Sequence, residues 1–132
     1  MNSKYGFGKQ VALSFEAALQ RVTQELQREG FGVLTEIDVQ ATLHKKLGVN
    51  TLPYRILGAC NPPLAHRALS AEPAIGLLLP CNVVVREDAA SCVRVEFMDP
   101  NAVLNLVDNR DVASVAAEVR EKLMRVMNAL PS

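Results

Sequence analysis

Residues 56–69, ILGACNPPLAHRAL, pass from the alternating pattern of a strand to the spacing of a helix, and the fold depends on this transition. The strand pattern covers residues 53–59. Asn61 is a natural N-cap, and Pro62 suits the first helical position, where a missing backbone N–H costs nothing. The sequence therefore predicts a strand that turns directly into a short helix. The apolar face of that helix comprises Leu64, Ala65, Ala68 and Leu69.

A second phrase with the same Cys-Asn pair, LLLPCNVVV, follows at residues 77–85. It falls in a predicted strand over residues 76–86, which the polar loop EDAAS joins to another strand over residues 92–98 as a hairpin. Cys81 has apolar neighbours at alternate positions, so its side chain is predicted to face the core. Pro80 cannot donate a ladder hydrogen bond, and it marks an edge, a bulge or a bend.

Helical patterns alternate with these strands along the rest of the chain. Two further strands are predicted, over residues 4–13 and 31–37. Ser14, Asp38 and Asp111 are placed to cap three further helices, of which the first and the last are long and amphipathic. The predicted fold is α+β, a two-layer sandwich with a largely antiparallel sheet of about five strands. The two long helices cover one face of the sheet, and short additional helices complete a single domain over the whole chain.

The second face of such a sheet has no predicted cover. Simple alternation along each strand places on it the apolar side chains of Leu34, Leu57, Leu78 and Val84. Exposed apolar surface of this kind is typical of an interface, so the sequence predicts a homodimer. The alternative is that connecting segments of the same chain fold over this face, and the pattern does not decide between the two.

The composition argues against several classes of protein. The 14 basic and 14 acidic residues leave no net charge for a phosphate backbone, and Trp is absent, so we expect no nucleic-acid partner. No segment has the length and apolarity of a signal peptide or a bilayer span, so we expect a soluble, cytoplasmic protein with no membrane partner. The three cysteines are an odd number, which predicts free thiols rather than a disulfide framework.

Familiar catalytic and nucleotide-binding motifs are absent from the sequence. Neither glycine-rich phosphate loop occurs, and Pro62 and Pro63 remove two of the amide donors that a helix N-terminus would offer an anion. H-E-x-x-H, G-x-S-x-G and paired acidic residues for glycoside chemistry are also missing. The sequence therefore predicts no catalytic residue and does not favour an enzyme.

The two Cys-Asn phrases supply the candidate binding site. Its predicted residues are Cys60, Asn61, His66, Cys81 and Asn82. Thiolates with an imidazole would suit a soft or borderline ion such as Cu(I) or Zn(II), although the spacing matches no C-x-x-C pattern. The alternative is that both thiols are inert core residues and that His66 is a hydrogen-bonded residue at a helix edge. Neither a metal nor a cofactor is identified by the sequence.

Three phrases together, GFGVLTEIDVQATLHKKLGV, YRILGACNPPLAHRAL and GLLLPCNVVVRE, resemble the bacterial and archaeal domain-of-unknown-function family numbered 302. The resemblance covers residues 4–128. It implies an α+β domain related to the TATA-binding-protein-like fold, and a homodimer. The family's Cys-Asn-Pro and Pro-Cys-Asn elements correspond to residues 60–62 and 80–82. The family has no established activity, so the resemblance implies an architecture and leaves the chemistry open.

Three functions remain compatible with the sequence. We adopt the first, a cytoplasmic homodimeric binding or accessory domain that holds a small ligand or a soft metal near Cys60 and Cys81. The second is a thiol-dependent enzyme or redox protein, in which a helix dipole lowers the pKa of Cys60 and His44 or His66 serves as the base. The third is a purely structural interaction module. Retained mass in native mass spectrometry would favour the first, and selective alkylation of Cys60 the second.

Overall fold

The computed structural model describes residues 3–132 and contains one five-stranded sheet. The strands are β1 (Gly6–Val11), β2 (Gly32–Asp38), β3 (Tyr54–Cys60), β4 (Cys81–Glu87) and β5 (Val93–Met98). The α-helices are α1 (Phe15–Arg28), α2 (Val39–Leu47), α3 (Pro62–Ala71), α4 (Pro100–Val103) and α5 (Arg110–Ala129), and 3-10 turns occupy Pro73–Leu78 and Leu104–Leu106. All neighbouring strands are antiparallel, in the order β1-β5-β4-β3-β2.

The core lies on one face of this sheet. α1 packs on β4 and β5, and α5 packs beside α1 and α3. The strand side chains that face these helices alternate with residues that face the other way. The buried, helix-facing side chains are Phe7, Val11, Leu57, Ala59, Cys81, Val83, Val85, Val93, Val95 and Phe97. The predicted α+β sandwich is therefore confirmed, with α1 and α5 as its two long helices. Within residues 3–132, none of the helices combines the length and the apolarity that a membrane span requires.

Helix capping follows the sequence at two of the predicted positions. The Ser14 side chain accepts a hydrogen bond from the backbone of α1, and Asp38 does the same for α2. The prediction for α5 was wrong, because its cap is Asn109, whose Oδ1 accepts from the amides of Asp111 and Val112. Asp111 lies inside the first turn, where its carboxylate complements the helix dipole instead.

The prediction of a strand from residue 76 was also wrong. Residues Pro73–Leu78 form a 3-10 turn, and β4 begins only at Cys81. A continuous apolar run does not distinguish a strand from a buried turn, and here one side chain, Ile75, enters the core while Leu77 is 88% exposed. Leu78 therefore belongs to no strand face.

The second face of the sheet, which we call the open face, is only partly covered. Leu57 does not lie on it, because this residue pairs with Val83 on the helix side and is buried. Leu34 is exposed at a bulge in β2, where the register shifts between Val33 and Thr35. α2 and residues 48–53 border the open face, so connecting segments do fold over part of it.

Candidate functional site

A pocket of about 320 Å³ lies where the ends of β3 and β4 meet α3 and α5. We call it the sulfur pocket, because Cys60 and Cys81 both line it. α3 and α5 supply most of the opposite wall. Apolar side chains dominate the lining, among them Phe31, Leu64, Ala65, Leu79, Val115 and Val119. None of the lining residues in the described part of the chain carries a charge.

The sheet register explains how both thiols reach one pocket. Ala59 and Cys81 are direct partners on β3 and β4, so Cys81 faces the helix-covered side. Alternation turns Cys60 away from that side. Cys60 is the last residue of β3, however, and the chain enters α3 two residues later, so the pocket wraps around the end of the sheet. The three cysteines are unpaired thiols.

Asn61 is at the N-cap position of α3, but its side chain does not cap that helix. The side chain is buried, and its Nδ2 donates to the carbonyl oxygen of Glu29 at 3.1 Å. Gly30 follows that carbonyl with a φ of +86°, and a Cβ at this position would approach Asn61 Nδ2 to 3.1 Å. The Asn61 side chain therefore links the end of α1 to the turn between β3 and α3 by a hydrogen bond.

Gly58 provides close packing beside the pocket, a feature that sequence reasoning missed. A Cβ at Gly58 would lie 2.2 Å from Thr35 Oγ1 and 2.8 Å from Pro80 Cγ. Thr35 and Pro80 both line the sulfur pocket, so the absent side chain lets them close its edge. The signal was a glycine inside a strand pattern, which often marks a close approach of neighbouring groups.

The electrostatics of the pocket keep the buried thiol neutral. Burial raises the pKa of the Cys81 thiol to about 11, and the neighbouring Cys60 adds to this increase. A thiol is a metal ligand or nucleophile only as the thiolate. At neutral pH Cys81 is therefore an apolar wall group rather than a reactive one.

The structure does not bring the other two predicted site residues into the sulfur pocket. His66 lies on the exposed side of α3 and is not among the lining residues. Asn82 is exposed on the open face, opposite Gly58, and lines a second cavity there. Within residues 3–132 there is no group of three or more His, Cys, Asp or Glu side chains that could hold a metal ion. Cys60, Cys81 and His66 thus do not form the three-ligand site that the sequence allowed.

The comparisons with known proteins agree with this architecture. The family model described as "Domain of unknown function DUF302" matches residues 7–130. A solved structure, an uncharacterized conserved protein DUF302 from Bacillus stearothermophilus, superposes with a TM-score of 0.88 at 25% sequence identity, covering 96% of this chain and 98% of that one. No curated protein matches the sequence. The family match spans nearly the whole chain, and the chain therefore belongs to the DUF302 family.

Proposed function

We propose that this protein is a binding domain that holds a small, uncharged apolar molecule in the sulfur pocket. One observation carries the proposal: a cavity of about 320 Å³ has an apolar lining with no charged residue. Small-molecule sites are concave, largely apolar and about 300–1,000 Å³ in volume, so this cavity falls within their range. A cytoplasmic location belongs to the same proposal, and the three unpaired thiols suit a reducing compartment.

The state of the polar groups in the pocket favours binding of an apolar ligand over binding of a metal or a reaction of a thiol. The Asn61 amide is already engaged with Glu29, and the pKa of Cys81 is raised. No imidazole from the described residues lines the pocket to act as a base for Cys60. Thr35 adds one hydroxyl, and contact with carbon and sulfur is the main thing that the pocket offers a ligand.

A pocket-filling variant tests the proposal. Ala65 lies on α3, lines the pocket and is half-buried, so Ala65→Phe places a ring inside the cavity. The probe is N-phenyl-1-naphthylamine, a neutral dye whose fluorescence increases in apolar sites. We expect saturable binding to the unmodified protein, and loss of that binding in Ala65→Phe. The matched control is Ala117→Phe on the exposed side of α5, which should bind normally. Failure of the dye to bind the unmodified protein, or equal binding by both variants, would contradict the proposal.

We further propose that two chains associate along the edge strand β2. β2 pairs only with β3, and none of residues 3–132 pairs with its outer edge. The other edge strand, β1, is partly guarded, because the next residue, Ala12, donates to Pro131 O and Lys9 donates to Leu130 O. Ile37 is 48% exposed on β2, and unpaired strand edges with apolar side chains invite pairing with a second chain.

The oligomeric state tests this association. Lysine on an edge strand opposes edge-to-edge pairing, so Ile37→Lys should convert a dimer into a monomer in light scattering coupled to size exclusion. Gln10→Lys on β1 is the matched control and should leave the dimer intact. A monomeric unmodified protein, or a dimer that survives Ile37→Lys, would refute the β2 interface.

A further inference from the structure

The open face of the sheet holds a second cavity, which we call the sheet-face pocket. Its volume is about 820 Å³, larger than that of the sulfur pocket. α2 and residues 48–53 form one wall and contribute Val39, Leu43 and Leu52. The floor is the open side of β4 and β5. Within the described chain this site shares no lining residue with the sulfur pocket, so the two cavities are separate candidate sites.

The floor of the sheet-face pocket carries an ion pair, and a second arginine lies beside it, just outside the lining residues. Arg86 Nε lies 2.6 Å from Glu96 Oε1, and Arg86 Nη2 lies 3.3 Å from Oε2. Arg94 is the direct cross-strand partner of Arg86, and its Nε is 4.0 Å from the same carboxylate. Two guanidinium groups thus share one carboxylate. Like charges on directly opposed strand positions repel, and an added anion would offset that repulsion.

Arg86 has hydrogen-bond donors that are available to a ligand. A guanidinium has five N–H groups, of which Glu96 accepts two, and the others have no partner among residues 3–132. The hydrogen bond to Glu96 raises the pKa of Arg86 further above its ordinary value, so the group stays charged. Tyr54 and Asn82 also line the floor, and their hydroxyl and amide can donate.

Two acidic residues near the pocket must also be considered. The charge of Asp88 contributes to the raised pKa of Arg86, but Asp88 Oδ1 already accepts from the amides of Ala90 and Cys92 in the loop after β4. Glu87 is among the lining residues, at the end of β4. Its register partner is Val93, which is buried under the helices, so alternation directs the Glu87 side chain to the helix-covered side of the sheet. Its carboxylate therefore does not compete for the donors of Arg86.

We propose that the sheet-face pocket binds a small monocarboxylic acid with an apolar body. The carboxylate accepts hydrogen bonds from the outer N–H groups of Arg86. Arg94, the cross-strand partner of Arg86, lies outside the lining and adds a second positive charge nearby. Guanidinium and carboxylate groups match in geometry and charge, which makes this pair stronger than a neutral hydrogen bond. The apolar body lies between α2 and the strand floor, against Leu43, Val84 and Met98.

The experiment compares an acid with its neutral isostere. The probes are 4-phenylbutanoate and 4-phenylbutanamide, titrated into the full chain and followed by backbone amide shifts in NMR spectra. We expect the acid to bind at least about tenfold more tightly than the amide, because a charge-assisted hydrogen bond replaces a neutral one. The largest shifts should fall in β4, β5 and α2.

A variant without the two floor charges tests whether the preference for the acid arises at the floor of the pocket. Arg86→Gln combined with Glu96→Gln removes both charges together and leaves side chains that can still hydrogen-bond. The preference for the acid should then fall well below tenfold, because the donors of Arg86 are gone and only the nearby charge of Arg94 remains. The matched control makes the same two exchanges at Arg67 and Glu118, an exposed ion pair between α3 and α5, and should keep the preference for the acid.

Four results would overturn the proposal. They are absence of binding by the acid, equal affinity of the unmodified protein for both probes, an acid preference that the double exchange on the floor leaves undiminished, and shifts centred on α3. If the double variant does not fold, Leu52→Gln tests the same pocket from the exposed segment. This variant should weaken both probes, and unchanged affinities would again contradict the proposal.

Discussion

Exchanging Asn61 for aspartate distinguishes two roles that asparagine can have before a helix. As an N-cap, asparagine uses its side-chain oxygen, and aspartate replaces it at almost equal stability. In this structure the side chain makes no hydrogen bond to α3, and its Nδ2 donates to Glu29 O instead. Aspartate has no N–H at this position. We therefore expect Asn61→Asp to destabilise the protein although it preserves a good capping residue.

The magnitude follows from the burial of this contact. Asn61 is 8% exposed, whereas the acceptor end of the hydrogen bond is only partly buried, because Glu29 is half-buried and Gly30 is exposed. Leaving a buried polar group unsatisfied costs about 1–3 kcal/mol, which is the loss expected for Asn61→Ala. A carboxylate facing a carbonyl oxygen adds repulsion and desolvation, so Asn61→Asp should lower the free energy of unfolding by about 2–4 kcal/mol at neutral pH.

Urea unfolding followed by far-UV circular dichroism measures both variants. The control is Ser14→Asp, where the native hydroxyl only accepts from Ala17 N and the exchange should cost less than about 0.5 kcal/mol. The new carboxyl should have a folded-state pKa above its unfolded value of about 3.9. The unfolded state then releases its proton first as pH rises, so the penalty is small in acid and grows towards neutral pH. An aspartate variant as stable as the native protein at neutral pH would refute this account of Asn61.

Two further predictions concern the strands beside Asn61. Gly58→Ala should lower the free energy of unfolding by about 1–3 kcal/mol, because the new Cβ would lie 2.2 Å from Thr35 Oγ1. Gly32→Ala on β2, which meets no atom within 4 Å, should change the free energy of unfolding far less in the same urea assay. Because the pKa of Cys81 is about 11 in the folded protein, that free energy should fall as pH rises above the unfolded pKa of about 8.5. In Cys81→Ala this alkaline loss should shrink, and an unchanged pH profile would contradict the assignment.

The strands that sequence reasoning predicted well are those with strict alternation. Val83 and Val85 on β4, and Val93 and Val95 on β5, all face the core, because each buried position is separated by one residue that faces the other way. Residues 76–79 have no such alternation. An apolar run without periodicity does not specify whether it extends or turns, and there the prediction failed.

The candidate site could be predicted only in part, because it depends on contacts between distant segments. The placement of Cys81 in the core follows from its own strand. The partner of Asn61 is Glu29, at the end of another helix, and no local pattern indicates that contact. The sheet-face pocket arises where α2 borders β4 and β5. Arg86 on its floor and Arg94 beside it belong to one hairpin, and only the strand register shows that they are direct partners.

The two Cys-Asn phrases look alike in sequence, yet the chain uses them differently. In the first phrase the asparagine is buried and fastens α1, and the cysteine is the half-buried last residue of β3. In the second phrase the cysteine is buried and the asparagine is exposed on the open face. Cys81 and Asn82 face opposite sides of β4, and here Cys81 lines only the sulfur pocket while Asn82 lines only the sheet-face pocket. A ligand for one pocket therefore needs chemistry that the other lacks: contact with sulfur and carbon on one side, and a guanidinium on the other.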